Sequence, residues 1–129
     1  MFMLYDCLVD IKESLEQFLI NNDYNNYVIA LDQVEEVTQP TIILYFDNVS
    51  FDKLSSAQVS CNFELKFTIA DKAESYSEFL QKHQNFIDSL IKYIFENYFT
   101  KSLQLSDFSF DSINSIATIT YSFITGFNR

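Results

Sequence analysis

From Ala57 to Ile69 the chain alternates without a break, with Ala57, Val59, Cys61, Phe63, Leu65, Phe67 and Ile69 set against Gln58, Ser60, Asn62, Glu64, Lys66 and Thr68. Only a strand sends successive side chains to opposite faces, so this run predicts a long strand with one buried and one wet face. A polar second face favours antiparallel neighbours. Two other stretches carry the helical period. Leu4, Leu8, Ile11, Leu15, Phe18 and Leu19 form one stripe of a helix from Leu4 to Ile20, with Asp10, Lys12, Glu13 and Glu16 largely on the other side. Asn21-Asn22-Asp23 tolerates a left-handed turn and ends it. From Ser75 to Tyr98 a second stripe runs through Tyr76, Phe79, Leu80, His83, Phe86, Ile87, Leu90, Ile91, Ile94, Phe95 and Tyr98. Ser75 and Glu78 have the spacing of a capping box at its start.

Shorter strands are expected at Tyr27 to Leu31, Thr41 to Phe46, Leu103 to Phe110 and Ser115 to Ile124, the last two joined as a hairpin through Asp111-Ser-Ile-Asn114. The order is α-β-β-β-α-β-β, an α+β fold with a mainly antiparallel sheet and both helices on one face. With one glycine, Gly126, and one proline, Pro40, the turns have to be built from Asn, Asp and Ser. The absence of a repeat or a Gly/Ser-rich linker predicts one domain over residues 1–129.

Two segments break the simple pattern. In Thr41 to Phe46 both phases are apolar, so helices on one face of the sheet and a partner subunit on the other are expected to cover it. Asp47 to Ser56 reads as a polar loop that still carries Val49, Phe51 and Leu54, which are expected to tuck back onto the domain, with docking as the alternative. Ile43, Tyr45, Phe51 and Leu54 are therefore the candidate interface residues.

Composition adds limits. A chain of 129 residues can bury about two-thirds of the surface its unfolded form exposes, enough for a core without metals or disulfides. Cys7 and Cys61 match no zinc or redox spacing and lie in or beside apolar stripes, so reduced core thiols are expected. Fourteen Phe and eight Tyr are a heavy apolar load, part of which could face a partner. A net charge of −10, with seven lysines and a single Arg129, offers no clustered guanidinium groups for phosphate backbones. No specific nucleic-acid binding is expected. The first ten residues lack a basic leader, and no apolar run has the length of a membrane span, so a cytoplasmic protein is expected.

Residues for chemistry are sparse. His83 is the one histidine and falls on the apolar stripe of the second helix, where a packed, hydrogen-bonded role is expected. A Ser or Cys nucleophile needs a base and an oxyanion hole, and phosphate-binding loops need several glycines. The acids Asp32, Glu35 and Glu36 read as a solvated loop rather than a paired-carboxylate or cation site. No catalytic residue, metal ligand or cofactor is assigned, and a non-enzymatic protein is expected.

The layout resembles the tail-terminator or tail-completion proteins of long-tailed bacteriophages. The resemblance is carried by Leu4 to Ile20, Pro40-Thr-Ile-Ile-Leu-Tyr-Phe46, Ala57 to Ile69 and Ser75 to Tyr98, and it spans nearly the whole chain. It implies a homo-oligomeric ring, usually hexameric, that caps the tail tube and offers its other face to the head-side connector. It also implies assembly in the cytoplasm followed by a place in the virion. The alternative is a small acidic inhibitor or immunity-type protein that sets carboxylates against a basic partner.

Overall fold

In the computed structural model, residues 4–31, 36–98, 100 and 102–128 are described, with side chains through residue 126. Two helices and five strands follow in the order α1 (Leu4–Asn21), β1 (Val28–Leu31), β2 (Thr41–Lys53), β3 (Val59–Lys72), α2 (Tyr76–Asn97), β4 (Leu103–Asp111) and β5 (Ile116–Asn128). This is the α+β order that the periodicity predicts. The strands form one sheet in the order β1-β2-β3-β5-β4. Three pairings are antiparallel, and β1 lies parallel to β2, so the sheet is mixed.

The helix ends follow local chemistry. α1 stops where Asp23 takes a positive φ of 61°, a conformation that a short polar side chain tolerates. At the start of α2 the Ser75 hydroxyl accepts from the Glu78 amide at 3.1 Å. The Glu78 carboxylate in turn accepts from the Glu74 amide at 3.3 Å, one residue before the cap. The β4–β5 turn is an Asx-type structure in which Asp111 accepts from the amides of Ile113 and Asn114 and from the Asn114 side chain.

One expectation is corrected. Residues 47–53 are not loop but the second half of β2, paired with β3 from Asn48↔Glu64 to Lys53↔Val59. A bulge between Phe46 and Asn48 shifts the alternation by one position, because the extra residue is left unpaired. Past the bulge Val49 and Phe51 stand opposite Phe63 and Cys61, so the segment reads as polar loop only when the phase of 41–46 is carried straight through. Val49 packs against the core as expected, whereas Phe51 and Leu54 remain 51% and 53% exposed.

Both helices lie on one face. Leu8, Ile11, Leu15, Phe18 and Leu19 of α1 and Phe79, Phe86, Ile87, Leu90 and Ile94 of α2 share a core with Ile42, Leu44, Phe63, Leu65, Phe67, Ile69, Ile119 and Phe123 of the sheet. The helices meet each other where the Phe18 and Tyr93 rings stand 4.7 Å apart. Burying a Leu, Ile or Phe side chain contributes roughly 1.5–3 kcal/mol before ordering costs. Cys7 and Cys61 are both reduced, and the Cys61 thiol is pushed up first by burial and then by the neighbouring Cys7. At the far end of β5, a Cβ on Gly126 would stand 2.3 Å from the Cys61 carbonyl oxygen, so this pairing with β3 requires glycine.

Candidate interaction surfaces and the buried polar cluster

A strand that leaves its second face bare must make that face compatible with water, and the register lets this be followed across all five strands. One row runs Ala30, Ile43, Thr68, Thr120, Asp107, and the next includes Tyr45, Lys66, Ser122 and Gln104. On the β1–β2 side these rows are apolar, with Ile43 and Tyr45 partly buried. Towards β5 they become hydroxyl-rich: Thr68 and Thr120 bond at 2.8 Å, as do Ser109 and Thr118. Lys66 sits between, paired to Asp47 at 3.3 Å.

The four candidate interface residues separate into two pairs. Ile43 and Tyr45 share the bare face. Phe51 is in register with Cys61 on the helix-bearing side, at the distal end of the β2–β3 hairpin. Leu54 lies in the turn that closes this hairpin, where its amide donates to the Gln58 carbonyl at 2.9 Å. Of the acidic run, Asp32 and Glu35 lie outside the described residues, and Glu36 is exposed.

His83 is buried and hydrogen-bonded, the expected role, but its partners were not anticipated. Its Nε2 stands 2.8 Å from Asp71 Oδ2 and its Nδ1 stands 2.5 Å from the Tyr27 hydroxyl. Lys82 reaches the same Asp71 oxygen at 2.9 Å, and the Lys72 amide donates to the other carboxylate oxygen. Burial, then the charge of Asp71, pushes the Tyr27 hydroxyl well up, so the phenol keeps its proton and donates to Nδ1. Nε2 then carries the remaining ring proton and donates to Asp71. Burial holds His83 below its ordinary value, only partly offset by Asp71. Burial would raise Asp71, but the hydrogen bonds from Lys82 and His83 outweigh it and hold the carboxylate low.

The result is a neutral imidazole locked between a phenol and a carboxylate, tying the start of β1 to the end of β3 and to α2. The order Asp–His–hydroxyl has the form of a relay, yet His83 is fully buried, Asp71 and Tyr27 are nearly so, and the hydroxyl is a phenol that burial keeps protonated. Such a cluster fixes the register of the elements it joins. Its signal was in the sequence: two residues beyond Ile69, Asp71 continues the buried phase of β3, and an acid in that phase demands partners.

Among the described residues no group of three or more His, Cys, Asp or Glu side chains is arranged to hold a metal ion. No helix among them is long and apolar enough to cross a membrane. Fold and surfaces together define a two-layer α+β protein with helices on one face of the sheet and the other face bare. No family model matches the chain, and no curated protein matches it either.

Proposed function

We propose that the chain is a structural subunit of a bacteriophage tail that assembles into a ring, caps the tail tube and joins it to the head-side connector. The observation that carries this reading is the one-sided layering: Ile43 and Tyr45 lie on a sheet face that no helix among the described residues covers, in a layout that resembles that of tail terminators. Contact between subunits through the bare β1–β2 side would complete the burial of the apolar phase of β2. Phe51 and Leu54 at the distal hairpin, half exposed and well away from that face, would give a second contact to the neighbouring subunit or to the tube. Function on this reading is geometric, with no bond made or broken and no cofactor required. An acidic surface would let DNA pass without adhering.

The test is to add the purified protein to tail-tube protein as it polymerises and to image the products. Tubes of limited length bearing a ring at one end are expected. Tubes of unchanged length with no end-bound protein would contradict the reading and favour an acidic inhibitor of a basic partner protein.

A further inference from the structure

The helix-bearing face is covered unevenly. One row of paired residues crosses the sheet through Leu31, Leu44, Phe67, Tyr121 and Leu105, and a second through Ile29, Ile42, Ile69, Ile119 and Phe108. Cover is complete at Ile42, Leu44, Phe67 and Ile69, but on β4 Leu105 and Phe108 are 51% and 58% exposed. α2 touches β4 where the Tyr76 and Phe108 rings stand 5.2 Å apart, and does not cover it. Beside α2 an open groove runs along Leu80, Gln81, Gln84 and Asp88, with Tyr121 of β5, the neighbour of β4, as its wall on the sheet. β4 is also an edge strand, bonded to β5 on one side only, and a free edge is a template for another strand.

The charges say what kind of strand would fit. The polar phase of β4 carries Asp107 and Asp111 with Gln104 and Ser109, two acids and no base. Asp88 borders the groove, its charge felt at Tyr121, and Asp107 acts likewise on Tyr76. Among the described residues none of these three acids is in an ion pair. A second copy of a chain with a net charge of −10 would set like charges together.

We propose that β4 binds an extended segment of a partner protein in which apolar residues alternate with lysine or arginine, added as a sixth strand. Its apolar side chains would extend the Leu105 and Phe108 rows on the helix-bearing face, while its cations fall on the opposite face beside Asp107 and Asp111. Strand addition draws affinity from main-chain bonds and specificity from alternate side chains, which is what this edge offers.

The test uses a fluorescent octapeptide alternating valine and lysine, and the same peptide with glutamate for lysine, titrated into the full chain and followed by anisotropy and amide hydrogen exchange. The lysine peptide should bind, weaken as salt rises, and slow exchange in β4 but not β1. Leu105→Ser and Asp107→Asn, each checked for unchanged thermal unfolding, should weaken it by about tenfold. The proposal is overturned if both peptides bind alike, if neither binds, if protection appears at β1, if both variants bind as the parent does, or if the chain dimerises through β4 and excludes the peptide.

Discussion

The two faces of the same five-stranded sheet solve opposite problems. On the helix-bearing face, Ile42, Leu44, Cys61, Leu65, Phe67 and Ile69 are sealed, and the one acid in that phase, Asp71, is held by His83, Lys82 and the Lys72 amide. On the bare face, the central positions are Thr68, Thr120 and Ser122, with Thr68 bonded to Thr120 and the latter two buried among their sheet neighbours, beside the apolar, partly buried Ile43 and Tyr45. The first face sets stability where the helices cover it, because the groups sealed there have given up water and depend on their neighbours. The second carries apolar residues that no helix among the described residues covers and, on the proposed function, is where an assembly contact would be made.

That contrast can be broken at graded cost. Phe67→Ala, at the centre of the covered face and stacked with Tyr121, should lower unfolding stability by about 3–5 kcal/mol in urea denaturation. Asp71→Ala should cost less, about 1–3 kcal/mol, since it strands a buried imidazole N–H while the half-exposed Lys82 returns to water. Thr120→Val on the bare face should cost at most about 1 kcal/mol, because the partly exposed Thr68 hydroxyl that loses its partner can turn to water. An equal loss at Thr120 and Phe67 would show that the two faces are not distinct.

Acid should act through the covered face. His83 titrates below its ordinary value of about 6.5 in the folded chain, so its contribution is fully present above that pH and is lost as pH falls, because the unfolded chain takes up a proton that the folded one resists. Asp71 is also lowered and has the same sign, with its loss beginning near the ordinary carboxylate value of about 3.9. Stability measured by denaturation should therefore fall in two stages below about pH 6.5. His83→Gln should remove the upper stage and keep the lower one.

Much of the fold was legible because its elements repeat a period over many residues. The alternation from Ala57 to Ile69 and the stripe from Ser75 to Tyr98 each predict both an element and its buried side; burial follows from Cys61 to Ile69 and at Phe79, His83, Phe86, Ile87, Leu90 and Ile94, while Ala57, Leu80 and Phe95 at the margins are exposed. The second half of β2 was hidden by the bulge after Phe46, which reverses the phase so that Asp47 and Asn48 read as the start of a loop. The parallel placement of β1 leaves little trace in a four-residue strand, whose pairing is decided by what lies beside it. Among the candidate surface residues, Ile43 and Tyr45 could be matched from their shared parity. Their separation from Phe51 could not, since it follows from the same bulge. Tyr27 and Lys82 became partners of the buried cluster through tertiary contacts that no local pattern encodes.

On the proposed function, the bare face carrying Ile43 and Tyr45 is an assembly surface. It is tested most directly by the solution mass of the purified chain and of its Tyr45→Asp variant, measured by light scattering over a concentration series at two salt levels. The expected result is a closed oligomer, six subunits if the tail-terminator reading holds, that Tyr45→Asp reduces to monomers of unchanged thermal stability. A parent oligomer that survives Tyr45→Asp intact, or a parent that stays monomeric at every concentration and salt level even with tail-tube protein present, would contradict it.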